Sequence, residues 1–430
     1  METNSETLYS KLLKDYNKEL NHTGISGERL ATRLYKLSQV GKTKENGVTR
    51  IGYSPKEMEA KELVMSWMKD AGLAVTTDGA GNVFGRMEGK SSAAAILSGS
   101  HVDSVPNGGN FDGPLGVLAA LEVAEAWKET GYVPPVPYEV VIFTDEEGSR
   151  FKTGLTGSRA FMGKHTQEGL DNFIDEEGNS FDEVIAQYGS SRENYLNPND
   201  KSKDIAMFVE VHIEQGKVLE KKNQPIGIVN GIAGPTWLEV QFTGEAAHAG
   251  NTAMEMRKDP VIAMGMFVQE IESLPRKVSE TAVATVGKID VLPNGVNVIA
   301  QEVNMMVDIR DIKKAPRDKL VQLICDAAEN IAIERGIKVK WQINSNVDPL
   351  PIDDKMQEDL AEVYRALDVD PVYIPSGAGH DTMILGEKYP AAMLFVRSKD
   401  GISHRPDEWT SLNDCVIAVH ALKRYIEKKM

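Results

Sequence analysis

The first half of the chain alternates apolar strand-like segments with helical segments, and this alternation constrains the fold more than any other feature. SPKEMEAKELVMSWMKDAG (54–72) and PLGVLAALEVAEAWKETG (114–131) predict helices, with proline near the start and glycine at the end. Buried strands are predicted for AAAILSGSH (93–101), YEVVIFTD (138–145) and DIAMFVEVHIEQG (204–216). Strands that alternate with helices indicate an α/β layer with a largely parallel sheet.

The pattern changes after about residue 230, where the predicted elements follow the order β-α-β-β-α-β of a ferredoxin-like unit. These elements are PTWLEVQFTG (235–244), DPVIAMGMFVQEIESL (259–274), TAVATVGKIDV (281–291), EVNMMVDIRDI (302–312), PRDKLVQLICDAAENIAIERG (316–336) and KVKWQINSN (338–346). The α/β pattern resumes with PVYIPSG (371–377) and AAMLFVRS (391–398). We therefore predict one α/β domain from residues 1–229 and 349–430, and an inserted α+β domain at residues 230–348.

Composition narrows the class of function. The formal net charge is −16 and no run of Lys and Arg stands out, so the chain lacks the basic patch of a protein that binds nucleic acid or an anionic membrane. Cys325 and Cys415 lie far apart within apolar helical patterns and are predicted to be reduced core residues. The segment METNSETLYSKLLKDY at the start has no apolar signal-peptide core, which predicts a cytoplasmic protein acting on small molecules.

Residues of metal-ligand type collect at predicted strand ends and in one loop. They are His101, Asp103 and Asp112 in GSHVDSVPNGGNFDG, Glu146 and Glu147 in TDEEGSR, Glu210, His212, Glu214 and Gln215 in VEVHIEQG, and His404 in GISHRPDEW. Taken singly, such residues are more often solvated turn residues or core histidines. Because carboxyl ends of parallel strands are where such sheets bind ligands, and His and carboxylates bind zinc-like metals, the joint placement favours a metal site.

The adjacent acids Glu146 and Glu147 suggest a division of labour. Neighbouring residues on a strand point to opposite faces, so at a strand-to-turn transition one carboxylate can bind a metal while the other faces the substrate. A carboxylate that deprotonates a water is the usual partner in metal-assisted hydrolysis.

Several motifs together resemble the group of N-carbamoyl-L-amino acid hydrolases, allantoate amidohydrolases and β-ureidopropionases. This hydantoinase/carbamoylase group is a branch of the aminoacylase- and carboxypeptidase-like dinuclear metallohydrolases. The motifs run in family order from residue 99 to 409 and are GSHVDSV, FTDEEGSRF, VEVHIEQG, GEAAHAGNTAMEMRKDP, NGVNVIA, VDIRD, SGAGHD and VRSKDGISHRPDEW. The resemblance implies a zinc-exopeptidase-like catalytic domain, with the insert as a lid and dimerisation domain of a homodimer.

The resemblance also implies two divalent metal ions per subunit. Asp112 would bridge them, His101 and His212 would complete one site, and Glu147 and His404 the other. Zinc or manganese is expected, and cobalt and nickel also suit these ligands. Glu146 would be the general base, and Asp103 would orient His101.

Further residues are expected on the substrate side. His248 would reach the active site of the partner subunit and polarise the scissile carbonyl, although Ala253 stands where many members of the family have proline. Without the resemblance, His248 would be interpreted as a surface histidine and Arg310 as a solvated charge. The residues implied to contact the substrate are Gln215, Asn297, Arg310, Gly377, Gly379, His380 and Asp381. Of these, Asn297 and Arg310 would hold the substrate carboxylate.

We therefore predict a hydrolase that cleaves the ureido C–N bond of N-carbamoyl-L-amino acids. Allantoate amidohydrolase is the close alternative, because it shares every proposed ligand, and β-ureidopropionase comes third. HIEQG argues against an N-acyl-amino-acid deacylase or a peptidase, which tend to have a carboxylate where His212 stands. The intact Glu146 and the complete ligand set argue against a non-catalytic binding protein.

Overall fold

The computed structural model describes residues 7–197 and 205–430. These residues form two compact units. Unit 1 contains the chain up to Asn230, followed by Ile352–Ile374 and His380–Met430. Unit 2 contains Gly231–Pro351 and Pro375–Gly379. The catalytic and lid roles assigned to the two parts of the sequence stay predictions.

The strands are β1 Ala74–Thr77, β2 Val83–Met87, β3 Ala95–His101, β4 Tyr138–Phe143, β5 Ile205–Ile213, β6 Ile226–Ile232, β7 Gly234–Thr243, β8 Ala247–His248, β9 Val283–Leu292, β10 Val298–Ile299, β11 Glu302–Asp311, β12 Lys338–Asn346, β13 Leu350–Pro351, β14 Tyr373–Ser376 and β15 Ala391–Val396. The α-helices are α1 Leu8–Leu13, α2 Gly27–Ser38, α3 Pro55–Asp70, α4 Pro114–Thr130, α5 Thr156–Phe161, α6 Gln167–Leu170, α7 Phe181–Gln187, α8 Arg192–Leu196, α9 Val218–Lys222, α10 Pro260–Ser273, α11 Lys314–Arg335, α12 Asp354–Arg365, α13 Asp381–Leu385 and α14 Leu412–Lys429.

The large sheet has the strand order β1-β2-β4-β3-β5-β15-β6-β13. Its four central strands, β4, β3, β5 and β15, run parallel, and antiparallel strands flank them on both sides. Every residue of β3, β4 and β15 is buried, as expected for strands covered on both faces. The α/β fold with a mostly parallel central sheet is therefore confirmed.

Local sequence signals explain where helices α3 and α4 begin and end. The Ser54 side chain accepts a hydrogen bond from the Glu57 N–H, and Pro55 occupies the first turn of α3. Helix α4 spans Pro114–Thr130 and is capped by Gly131, which adopts the left-handed conformation at φ 67°. Both helices lie where the sequence predicts them.

Unit 2 has the predicted β-α-β-β-α-β order, formed by β7, α10, β9, β11, α11 and β12. The strands pair antiparallel in the order β12-β7-β11-β9. Alternate residues of β7, namely Leu238, Val240 and Phe242, are buried in one cluster with apolar residues of α10 and α11. The helices therefore cover one face of this sheet.

Some elements have no clear sequence signal. Strand β1 has four residues, none of them buried, and β2 carries Gly85 at its centre, so neither shows the apolar run of a core strand. Both predicted core cysteines, Cys325 and Cys415, are buried free thiols. Among the described residues, no helix combines the length and apolar character needed to cross a bilayer.

Helix α11 allows a matched test of the core of unit 2. Ile324 is fully buried, whereas Ile333 on the same helix is 79% exposed. We expect Ile324→Ala to lower the free energy of unfolding by about 2–5 kcal/mol, because it leaves a cavity, and Ile333→Ala by less than about 0.5 kcal/mol. Urea unfolding followed by circular dichroism measures both, and equal losses would contradict this packing of α11.

Candidate metal centre

Parallel strands bring the predicted ligands to one edge of the large sheet. His101 is the last residue of β3, His212 is the penultimate residue of β5, and the acids Glu146 and Glu147 follow β4. His404 lies in the loop after β15. Since β4, β3, β5 and β15 are neighbours in that order, their carboxyl ends lie side by side.

The first group of potential ligands contains His101, Asp112 and His212. Asp112 Oδ1 lies 3.0 Å from His212 Nε2 and 3.6 Å from His101 Nε2. The other ring nitrogens lie against backbone oxygens, with His212 Nδ1 3.0 Å from the Ile213 carbonyl and His101 Nδ1 3.2 Å from the Asp103 carbonyl. If each Nδ1 carries the proton, each Nε2 presents a lone pair towards Asp112, as metal-binding histidines do.

The second group contains Asp112, Glu147 and His404. His404 Nε2 lies 3.4 Å from Asp112 Oδ2 and 3.3 Å from Glu147 Oε2. His404 has a φ of 58°, a left-handed conformation that non-glycine residues rarely adopt and that often marks functional positions. Asp112 therefore offers one oxygen to each group.

The turn after β4 places both glutamates at this edge. Asp145 adopts a φ of 51°, which ends the strand. The Asp103 carboxylate then accepts hydrogen bonds from the Glu146 N–H at 3.2 Å and the Glu147 N–H at 3.1 Å. Glu146 Oε2 lies 3.6 Å from His101 Nε2, whereas Glu147 lies beside His404. The two acids therefore face different histidines, and the separate roles assigned to them from sequence stay a prediction.

Asp103 also contacts His101. Its Oδ1 lies 3.4 Å from His101 Nδ1, and both side chains are fully buried. The residue therefore fixes the ring of one histidine and the backbone of both glutamates.

The crowding of acids shifts several pKa values. Burial raises the pKa of Glu146 well above its usual range, and the charge of Glu147 adds to this. Burial and the Asp112 charge raise the pKa of Glu147 to about 7. Although burial opposes it, contact with His212 and His404 holds the pKa of Asp112 well below its usual range. The pattern describes a buried cluster of carboxylates that repel one another.

The residues fit a divalent metal. Each group supplies three nitrogen or oxygen atoms that lie within 4.8 Å of one another. His101 Nε2 is buried and has no hydrogen-bond partner among the described residues, although it faces Asp112 and Glu146. A cation would satisfy this nitrogen and offset the repulsion among the acids.

Two other acids of VEVHIEQG have structural partners instead. Glu210 accepts hydrogen bonds from Ser100 Oγ at 2.7 Å and from the Thr382 N–H at 3.0 Å. Glu214 accepts from the N–H groups of Val218 and Leu219 at the start of α9. They lie outside both ligand groups.

Two residues near His404 belong to the site although the sequence analysis assigned them no role. Ser403 Oγ donates to Asp112 Oδ2 at 2.5 Å, and Glu408 accepts from the Asp112 N–H at 3.1 Å. The only sequence signal was their presence within GISHRPDEW, because nothing in the spacing connects residue 408 with residue 112.

Two of the predicted substrate residues also lie beside the predicted metal ligands in unit 1. Gln215 Nε2 donates to Asp112 Oδ2 at 2.7 Å, from a residue with a φ of 55°. The His380 ring lies 4.5 Å from the His212 ring, centre to centre. Burial lowers the pKa of His380 well below its usual range.

Asp381, also predicted on the substrate side, is buried in unit 1 as the first residue of α13, and the remaining predicted substrate residues lie in unit 2. His248 is exposed, and its Nδ1 accepts hydrogen bonds from the Gly250 N–H at 3.1 Å and the Asn251 N–H at 3.2 Å. A neutral ring in this position carries its proton on Nε2. Asn297 is joined to this segment, because its carbonyl accepts from the Ala249 N–H at 3.0 Å.

Arg310 is held within unit 2 by two partners. Its Nε and Nη2 donate to the Asp308 carboxylate at 2.7 and 2.8 Å, and its Nη1 donates to the Gly377 carbonyl at 2.5 Å. Gly377 and Gly379 are both exposed in the segment Pro375–Gly379. The fork of Arg310 towards Asp308 is therefore occupied, and its remaining N–H groups are the ones available to another anion.

Comparison with known proteins defines the class to which this fold and site belong. The chain matches peptidase family M20/M25/M40 over residues 97–428 and is a member of this family of metallohydrolases.

Individual relatives are similar over almost their whole length. The chain is 43% identical to an N-carbamoyl-L-amino acid amidohydrolase of Geobacillus stearothermophilus, over 93% of this chain and 97% of the relative. It is 36% identical to an allantoate amidohydrolase of Bacillus subtilis, over 91% and 95%. A crystal structure of a hydantoinase/carbamoylase family amidase from Burkholderia multivorans superposes with a TM-score of 0.88 at 32% identity, over 95% and 98%. The family resemblance predicted from the motifs is confirmed.

Gly113 allows a test of how tightly His101 is held. It has a φ of 79°, and a Cβ at this position would lie 2.4 Å from the imidazole of His101. Gly72 has a similar φ of 87° but open space around it. We expect Gly113→Ala to reduce the free energy of unfolding by about 1–3 kcal/mol more than Gly72→Ala does, because only the first variant overpacks a buried ring. Urea unfolding measures the difference, and equal losses would mean that His101 can move freely.

Proposed function

We propose that this chain is a metal-dependent amidohydrolase that cleaves the ureido C–N bond of N-carbamoyl-L-amino acids. The observation that carries the proposal is the pair of ligand groups sharing Asp112, with the Glu146 carboxylate beside them. The substrate class is supported by the higher identity to the Geobacillus N-carbamoyl-L-amino acid amidohydrolase than to the Bacillus allantoate amidohydrolase.

The proposed cofactor is a pair of divalent ions. His101, Asp112 and His212 would hold one, and Asp112, Glu147 and His404 the other. Zinc and manganese suit these ligands, as do cobalt and nickel. When bound, such ions lower the pKa of a water and polarise a carbonyl oxygen.

The chain's own residues perform the proton transfers in this proposal. Glu146 takes the proton of the attacking water and delivers it to the amino-acid nitrogen as the C–N bond breaks. The carbamate that leaves decomposes to ammonia and carbon dioxide. His248, reaching the active site of the partner subunit, donates a hydrogen bond from Nε2 to the carbonyl oxygen there as negative charge develops on it. The backbone N–H groups of Gly250 and Asn251 hold the ring in the required tautomer.

The carboxylate of the substrate is assigned to Arg310 and Asn297. The two hydrogen bonds to Asp308 fix the plane of the Arg310 guanidinium. Its remaining N–H groups therefore point in a fixed direction. The other residues proposed on the substrate side are Gln215, Gly377, Gly379 and His380. The proposal also includes a homodimer formed through unit 2 and a cytoplasmic location, both of which rest on the reasoning from sequence.

Allantoate is the second candidate substrate. It is also a ureido carboxylate, and the allantoate amidohydrolase of Bacillus subtilis is 36% identical to this chain. N-carbamoyl-β-alanine is a third candidate, and N-acyl amino acids and peptides rank below it.

A substrate panel tests the proposal directly. Chelator-stripped protein is reloaded with zinc or manganese and assayed with N-carbamoyl-L-amino acids, their D-isomers, allantoate, N-carbamoyl-β-alanine, N-acetyl amino acids and a dipeptide. Release of ammonia, or of free amine for the last two, is measured. We expect metal-dependent turnover to be fastest with the L-carbamoyl compounds. Faster turnover of allantoate would transfer the assignment to the second candidate, and activity only on acetyl or peptide substrates would contradict both.

The two glutamates provide a sharper test of the mechanism. Glu146→Ala should retain its metal and lose turnover by about 10²–10⁴-fold, because it removes the general base. Glu147→Ala should lose metal, because it removes a ligand. Metal content after dialysis, measured by inductively coupled plasma mass spectrometry, and kcat are compared for both variants. Loss of metal from Glu146→Ala together with an active Glu147→Ala would reverse the two roles.

A further inference from the structure

Asp112 is held by two residues that the proposed mechanism does not use. Ser403 Oγ lies 2.5 Å from Asp112 Oδ2 and 3.0 Å from Glu408 Oε2. The other oxygen of Glu408, Oε1, accepts the N–H groups of Phe111 at 2.7 Å and Asp112 at 3.1 Å. One carboxylate therefore fixes the backbone of Asp112, and its second oxygen lies against the serine hydroxyl that bonds the Asp112 side chain.

The fold makes room for the Glu408 carboxylate. Glu408 is 4% exposed. A Cβ at Gly109 would lie 2.0 Å from the carboxyl carbon of Glu408, so only glycine fits there without displacing it. The carboxylate thus occupies a recess formed by the backbone of residues 109–112. Its position is fixed by the space at Gly109 and by two backbone N–H groups.

The contact with Ser403 distinguishes the two oxygens of Asp112. Ser403 touches Oδ2, which faces Glu147 and His404, whereas Oδ1 faces His101 and His212. A hydrogen bond to a ligating carboxylate holds the bonded oxygen in place, and the hydroxyl of Ser403 bonds Oδ2, as does the amide of Gln215. The hydroxyl supplies this restraint on one side only.

We propose that Ser403 and Glu408 are positioning residues that set the affinity of the group Asp112, Glu147 and His404 for its divalent ion. The inference rests on the proposed function only in that these groups bind metal. It predicts a loss that falls mainly on one of two ions, which a general loss of stability would not produce.

The test is a metal titration of the full chain. Stripped protein is titrated with Zn²⁺ against a chromophoric chelator to obtain both dissociation constants. A His404→Ala variant identifies the constant that belongs to its group. We expect Ser403→Ala to weaken that constant about 10–100-fold, the range usual for outer hydrogen-bond partners of metal ligands, and to leave the other close to wild type.

Substitutions of Glu408 test whether its hydrogen bonds, and not its charge, set the dissociation constant of this group. Glu408→Leu should weaken the same constant, whereas Glu408→Gln should restore it, because its amide offers an oxygen to the two N–H groups and an NH₂ to Ser403. Gly109→Ala should reproduce the effect of Glu408→Leu by displacing the carboxylate without removing it. The Gly109→Ala variant therefore replaces Glu408→Leu in the metal titration if Glu408→Leu does not fold.

Ser180→Ala is the matched control. It removes a serine–glutamate hydrogen bond of 2.7 Å in the capping box of α7, remote in sequence from every proposed ligand, and should leave both constants unchanged. Wild-type constants for Ser403→Ala, equal losses at both ions, or a Glu408→Gln variant as weak as Glu408→Leu would each overturn the inference. A wild-type protein that binds no ion would overturn the proposed function itself, so the two failures are distinguishable.

Discussion

Mutual repulsion among buried carboxylates governs the organisation of unit 1. The buried Asp103 and Asp112 and the half-buried Glu146 and Glu147 crowd the carboxyl edge of a sheet in which every residue of β3, β4 and β15 is buried. Backbone N–H groups and histidine rings offset part of this repulsion, with Asp103 accepting from both glutamates and Asp112 facing three histidines. Burial, together with the remaining repulsion, raises the pKa values of Glu146 and Glu147, and divalent cations would offset this repulsion. Metal binding at this edge would therefore add to its stability.

The elements that sequence predicts well are those with a strong local signal. Buried β3, β4 and β5 are apolar runs followed by polar turns, and α3 and α4 carry their own start and stop residues. His101, Glu147 and His212 follow from these, because the end of a parallel strand determines which edge a residue occupies. Periodicity could not predict short, exposed β1, whose position depends on pairing with β2.

The residues that hold the predicted ligands in place could not be predicted from local sequence signals. Ser403 and Glu408 meet Asp112 only because the chain returns to the same edge after unit 2 and β15, almost 300 residues later. Similarly, the turn at Asp145 needs a left-handed residue that its sequence does not mark with glycine. Such contacts form only in the tertiary structure. A sequence motif can contain the residues involved, but it does not identify their contact partners.

The residues proposed to cleave the ureido bond are not the ones that would select between substrates. Relatives named for N-carbamoyl-L-amino acids and for allantoate are both similar to this chain over more than 90% of its length. In the proposed mechanism a metal centre and a base act on the ureido group, which both substrates contain, so these residues would not discriminate between them. A guanidinium such as Arg310 recognises any carboxylate, so it cannot discriminate either. Selectivity must therefore come from side chains that contact the remainder of the substrate, where one methylene in an apolar pocket changes the relative rate by only about 10–200-fold.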